Sequence, residues 1–179
     1  RENLYKKEDV FSLKVDQCQN CQLVQIVNPI DSHKIYRDID YLYFSGDMPG
    51  LADYFREYVA DIIERFVNPK DFIVEIGSND GTMLKQILNK ADVSVLGIDP
   101  ASNVVLRAVK KEVPTLSDFF SERIAKSIVR EFGKAKIIYG NNCIAHLENL
   151  DDLMRGVKLL LKDDGVFIVE CNYWGGMVK

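Results

Sequence analysis

Between Asp71 and Cys171, short apolar and β-branched runs alternate with segments of helical periodicity, and this rhythm constrains the fold more than any other feature. "DFIVEIG" reads as a buried strand running into a glycine, and "GTMLKQILNK" as the helix that follows it. Further strands are expected at "VSVLGID", "VPTLS", "KIIYG" and "GVFIVEC". Helices are expected between them at "SNVVLRAVKK", "SERIAKSIVREF" and "LDDLMRGVKLLL", the last opened by Asn149 as its cap. Upstream, Leu51 to Phe66 carries apolar residues three and four apart, the stripe of an amphipathic helix, which Asn68-Pro69 ends. Five strands alternating with helices predict an α/β chain with a doubly wound, mostly parallel, Rossmann-like sheet. Ligands of such sheets sit at the carboxyl ends of the strands.

The first 50 residues break the rhythm. They hold a CxxC, several tyrosines and the loop-like "SGDMPG", so residues 1–50 are expected to form a short appended module and residues 51–179 the main domain. With a formal net charge of −4 and 23 basic residues scattered among 27 acids, the chain offers no basic face for a nucleic-acid backbone. No apolar run approaches a membrane span, and the charged start "RENLYKKEDV" has no signal-peptide core; a soluble, cytoplasmic chain is the expectation. Four scattered cysteines read as thiols in a reducing compartment, Cys143 and Cys171 as buried ones. No Met opens the chain and "GGMVK" closes it abruptly, as in a piece of a longer protein. "GVFIVEC" would then be an apolar sheet edge, covered by a missing segment or by a second copy in a homo-oligomer.

The turn inside "VEIGSNDGTML" indicates what the sheet holds. Gly77 to Gly81 form the loop between the first strand of the rhythm and its helix, where backbone N–H groups face a ligand. A dinucleotide fingerprint GxGxxG requires glycine where Asn79 stands. Glu75 and Asp80 flank the turn, and two carboxylates repel a pyrophosphate but attract a cation. S-adenosylmethionine fits, because it carries a sulfonium, an ammonium and a ribose but no phosphate. Asp99, followed by Pro100 at the end of the next strand, is placed to accept from both ribose hydroxyls. In "LSDFF" Asp118 offers an acceptor for the adenine amine and Phe119 an apolar wall. Asn141 and Asn142 would meet the amino-acid end of the cofactor. Each residue also has a structural reading: Asp80 as a helix cap, Asp99 as a turn residue, Phe119 as core.

"VEIGSNDGTML", "VLGIDPASNV", "LSDFFS", "NNCIAHLENLDDLMRGVKLLLKDDGVFIVE", "CQNCQLVQ" and "YLYFSG" together resemble the SAM-dependent C-methyltransferases of nucleotide-linked deoxy sugars, over about Cys18 to Tyr173. The resemblance implies a class I methyltransferase sheet behind a small zinc-binding module. It also implies a keto sugar on a nucleoside diphosphate as substrate, methylated at the carbon next to the ketone. His146 matches the family's active-site histidine, and Tyr41 or Tyr43 its tyrosine-rich substrate segment. The family's zinc is held by two CxxC pairs, of which only Cys18 and Cys21 are present; His33 is a third candidate ligand. The chain stops before the segment where the family places a further Glu-His pair and two closing strands. Two rival functions remain open at this point: a non-catalytic binding module of the same fold, and an NAD-dependent oxidoreductase.

Overall fold

The computed structural model describes residues 10–177. The charged start of the chain, read above as lacking a signal core, lies outside the described residues except for Val10. A two-stranded antiparallel hairpin comes first, β1 (Val15–Gln17) and β2 (Val24–Ile26), followed by a short helix α1 (Ser32–Tyr36). A single 3₁₀ turn at Ser45–Asp47 leads into α2 (Leu51–Phe66). The alternation then runs β3 (Phe72–Ile76), α3 (Thr82–Leu88), β4 (Ser94–Ile98), α4 (Ser102–Lys110), β5 (Thr115–Leu116) and α5 (Glu122–Phe132). It ends with β6 (Ala135–Asn141), α6 (Leu150–Leu160), β7 (Leu161–Glu170) and the short α7 (Trp174–Met177).

The five later strands form one parallel sheet in the order β5-β4-β3-β6-β7. From β3 the chain moves outward through β4 to β5, then returns to the other side of β3 for β6. This reversal opens a crevice above the carboxyl ends of β3 and β6, the place where doubly wound sheets bind ligands. All five residues of β3 are buried, as a central parallel strand covered on both faces requires. Phe72, Val74 and Ile76 point to the face covered by α5 and α6, where they meet Ile124, Ile128, Leu153 and Leu160. Ile73 points to the opposite face with Val59, Met83, Leu84 and Ile137 beneath α2 and α3. Glu75 shares that second face by its period of two, and it is the one ionisable residue in the strand.

The sequence signals for helix starts hold where a side-chain cap is present. Asn149 accepts from Asp152 N–H at 2.9 Å to open α6, and the Ser121 hydroxyl accepts from Ile124 N–H to open α5. α3 is different, because its cap is Gly81 at φ 71° with no side-chain hydrogen bond, so Asp80 is not a helix cap. The last strand is longer than "GVFIVEC" suggests. Leu161 to Asp164 extend it backward, with a register irregularity between Ala135 and Ile137. It lies at the sheet's edge, with Val169 42% exposed.

Candidate functional site

The turn after β3 is built from left-handed residues: Gly77 at φ 67°, Asn79 at 50° and Gly81 at 71°. Gly77 is required twice over, because a Cβ there would lie 2.6 Å from Cys143 Cβ and the backbone conformation itself disfavours side chains. The Gly77 and Ser78 N–H groups both donate to Ile98 O, tying the turn to the end of β4. Asp99 follows directly and is fixed from both sides. Asn79 N–H donates to Oδ2 and Ala101 N–H to Oδ1, each at 2.9 Å. Burial raises the proton affinity of this carboxylate, and the two N–H bonds work against that rise. Each oxygen keeps a further lone pair for a ligand hydroxyl.

Above these strand ends lies a cavity of about 450 Å³, within the size range of small-molecule sites. Its walls carry the carboxylates of Glu75, Asp99, Asp118, Glu148 and Asp152, and no Lys or Arg among the described residues. Glu75 is only 4% exposed, and its Oε2 has no hydrogen-bond partner. Burial, reinforced by the charges of Asp99 and Asp80, pushes its pKa well above the ordinary carboxylate value. The buried Ser78 hydroxyl also lacks a partner. Orphaned polar atoms on a cavity wall are costly in the empty protein and are suited to a polar ligand.

Most of the residues singled out from the sequence meet in this cavity: Glu75, Gly77, Asn79, Asp99, Pro100, Asp118, Phe119, Asn141, Asn142, His146, Tyr41 and Tyr43 all line it. Asp80 and Gly81 do not. Asp80 is fully buried; its Oδ1 accepts from the Thr82 hydroxyl at 2.6 Å, and its Oδ2 from Lys111 Nζ at 2.8 Å and Gly46 N–H at 3.2 Å. Burial alone would raise its pKa, but Lys111, Thr82 and the Gly46 N–H outweigh burial and lower it. A Cβ on Gly81 would press against Val113 and Ala108, so that glycine serves packing. The acids facing the cavity beside the turn are therefore Glu75 and Asp99, rather than Glu75 and Asp80.

The Asn79 side chain is also committed elsewhere, accepting from Ser45 N–H at 2.8 Å and donating to Tyr43 O at 3.0 Å. Asn141 Nδ2 lies 2.8 Å from Met83 Sδ, while Asn142, at φ 51°, donates to Glu170 Oε1. Asp118 accepts from Phe119 N–H and from Arg123. His146 ends an exposed 3₁₀ turn, Ile144–His146, at the cavity rim. Cys143 donates its thiol to Ile76 O, and burial pushes its pKa up to about 12, so it stays a neutral thiol. Cys171 departs from expectation, since it is exposed.

Sequence reasoning missed the contribution of α1. Ser32, His33 and Tyr36 line the cavity, His33 with its ring centroid 4.9 Å from that of Phe119 and the Arg37 guanidinium 5.6 Å from the same ring. The available signal was Asp31, whose carboxylate caps this five-residue helix by accepting from His33 N–H. His33 thus belongs to the cavity and not to the cysteine pair. Cys18 and Cys21 stand exposed in the turn of the β1–β2 hairpin. Hydrogen bonds from the Cys21 and Asn20 backbone and the Cys21 side chain lower the Cys18 pKa. Among the described residues no third His, Cys, Asp or Glu joins them, so these two thiols do not fit a closed tetrahedral zinc site.

The profile of the family described as "Methyltransferase domain" matches residues 74–167, more than half of the chain. The chain belongs to this methyltransferase family. C-methyltransferase NovU of Streptomyces niveus is 31% identical over 173 residues, covering 96% of this chain and 40% of that protein. The plantazolicin methyltransferase BpumL, solved with a pentazolic desmethylPZN analog and SAH, superposes with a TM-score of 0.55 at 18% identity, over 71% of this chain and 49% of that one. A SAM-dependent methyltransferase of Thiobacillus denitrificans, solved with S-adenosyl-L-homocysteine, gives 0.52 at 12% identity, over 63% and 47%. At such identities the structural likeness shows a shared methyltransferase fold. The chain spans less than half the length of the curated relatives it matches.

Proposed function

We propose that this chain forms the cofactor-binding part of an S-adenosylmethionine-dependent C-methyltransferase whose acceptor is a nucleotide-linked keto-deoxy sugar. The observation that carries the cofactor reading is the cavity wall, where Glu75, Asp99 and Glu148 face the space with no Lys or Arg partner among the described residues, while Asp118 and Asp152 are paired with Arg123 and Arg155. At an effective dielectric near 20, a unit charge about 4 Å from a carboxylate gains or loses about 4 kcal/mol according to its sign. An onium cofactor is therefore favoured, and the diphosphate of a pyridine dinucleotide is disfavoured. Similarity to a C-methyltransferase over nearly the whole chain, with the motifs quoted above, supports the acceptor class.

When bound, the cofactor supplies an electrophilic methyl group on a sulfonium. Asp99 would hold the ribose hydroxyls with its remaining lone pairs, Asp118 the adenine amine, and Phe119 with Pro100 the faces of the base. Gly77 permits close backbone approach, while Glu75, Asn141 and Asn142 would receive the cationic amino-acid end. His146 is assigned as the base that removes the proton next to the acceptor ketone. A Tyr41 or Tyr43 hydroxyl would donate to the enolate oxygen that this creates. Burial, with the charge of Asp99 as a lesser cause, raises the Tyr41 pKa and keeps its hydroxyl a proton donor. Residues 1–50 act in this reading as an acceptor-side module, and residues 51–179 as the cofactor domain.

Titration calorimetry of S-adenosylmethionine tests the assignment. Asp99→Ala, on a variant that still melts cooperatively, is expected to lose about 1–3 kcal/mol of binding free energy. Unchanged affinity would remove Asp99 from the site.

A further inference from the structure

We infer that the turn after β3 is a clasp for the segment at residues 41–47, and that Asn79, Asp80 and Asn103 are positioning residues that set Tyr41 and Tyr43 over the cavity. The inference rests on the cofactor reading only where it links the clasp to Asp99. The segment forms a strap along the cavity wall, which Tyr41, Tyr43 and Ser45 line, and is fastened at five of its seven residues. Asn103 accepts from Tyr41 N–H at 3.2 Å and donates to Tyr41 O at 2.9 Å, pairing with that residue as a neighbouring strand would. Asn79 takes Tyr43 O and Ser45 N–H, and Asp80 takes Gly46 N–H. Arg107 closes the series with two bonds to Asp47, at 2.7 and 2.9 Å, and its guanidinium lies 4.1 Å from the centroid of the Phe44 ring.

Four of the five anchored residues are held by backbone groups, so the clasp fixes the path of the strap whatever side chains it carries. Gly46 gives independent support. A Cβ there would lie 2.8 Å from Asp80 Oδ2 and Thr82 Oγ1 and 2.9 Å from Lys111 Nζ, so the strap approaches as closely as only glycine allows. The first two atoms belong to buried side chains bonded to each other.

Asn79 joins the strap to the cofactor side. Its backbone N–H holds Asp99 Oδ2 while its carboxamide holds the strap, and its residue is 8% exposed. A ligand that engages Asp99 restrains the Asn79 peptide and, through it, Tyr43 and Ser45. Cofactor would then bind first and present an ordered tyrosine segment to the acceptor. Asn79 and Asp80 also explain why this turn departs from a glycine-rich fingerprint: their side chains grip protein rather than cofactor.

Hydrogen exchange of the strap amides, read by mass spectrometry with and without S-adenosylhomocysteine, tests the inference. Asn103→Ala alters a half-buried side chain outside the apolar core, Gly46→Val pushes the strap away from the buried Asp80–Thr82 pair, and retention of a cooperative melt checks that both fold. In the absence of ligand, Asn103→Ala is expected to speed exchange at Tyr41 and Gly46→Val at Ser45 and position 46, each by about tenfold or more. S-adenosylhomocysteine is expected to slow exchange there in the wild type but not in the variants, although they still bind it. Equal exchange in wild type and both variants would overturn the clasp. Ligand binding that leaves wild-type strap exchange unchanged would overturn the link through Asn79. Failure of the wild type to bind the ligand would reject the cofactor reading, while the ligand-free comparison would still decide the clasp.

Discussion

Glu75 is the residue on which the polarity of the cavity turns. It sits in the central strand among apolar neighbours, with one oxygen unpartnered and its pKa raised by burial and by two nearby acids. In the folded chain it holds its proton above the pH at which an unfolded glutamate loses it. Its contribution is therefore complete below the ordinary value of 4.5 and is lost as pH rises through the higher folded value. Glu75→Gln should raise the ligand-free melting temperature near neutral pH by a few degrees, about 2–4 °C for each kcal/mol recovered. It should also flatten this part of the pH dependence, while weakening S-adenosylmethionine binding. Melts at a series of pH values would show this; parallel curves for wild type and variant would contradict it. The sequence placed Glu75 and Asp80 on an equal footing beside the turn. What separates them is Lys111, which lies 31 residues beyond Asp80 and reaches it only in three dimensions.

At the scale of elements, α4 does more than cover the sheet. Lys111, the residue that caps its end, neutralises Asp80 and so lets a buried acid hold both the strap and the start of α3. Lys111→Met should cost about 1–3 kcal/mol at neutral pH, less than a fully buried pair because the ammonium is one-third exposed to screening solvent. Asp80 has a lowered folded pKa, so its stabilising contribution is present above the ordinary carboxylate value and disappears as pH falls through the folded one. Denaturant melts at a series of pH values from 7 downward should show the variant's deficit at neutral pH and its decline only below the ordinary carboxylate value of 3.8. A deficit equal at every pH would assign the effect to lost packing. The parallel strands other than the two-residue β5, and their helices, were legible because they are long enough to show a period, with Asn149 marking the start of α6 and Pro69 following the end of α2. The β1–β2 hairpin and α1 were not. Strands of three residues are too short for an alternation to stand out, and a helix of five residues cannot display a helical repeat.

For the molecule as a whole, the order β5-β4-β3-β6-β7 brings residues from four strand ends to one crevice. The alternation in the sequence announced this convergence, and twelve of the fourteen residues assigned to cofactor or acceptor line the cavity. The inward reach of α1 was hidden, and of the strap only Tyr41 and Tyr43 were expected, from the resemblance; their fastenings, such as Tyr41 with Asn103, and that of Arg37 with Ser117 join residues 62 and 80 apart. A cavity whose acids beside the turn, Glu75 and Asp99, have no basic partner among the described residues should discriminate by charge. Thermal melting of the chain with S-adenosylmethionine and, separately, with NADH tests this most directly. At about 100 times its dissociation constant a ligand adds about 2.7 kcal/mol, a rise of about 5–10 °C for a domain of this size. S-adenosylmethionine is expected to give such a rise and NADH none; a rise with NADH and none with S-adenosylmethionine would contradict the onium site.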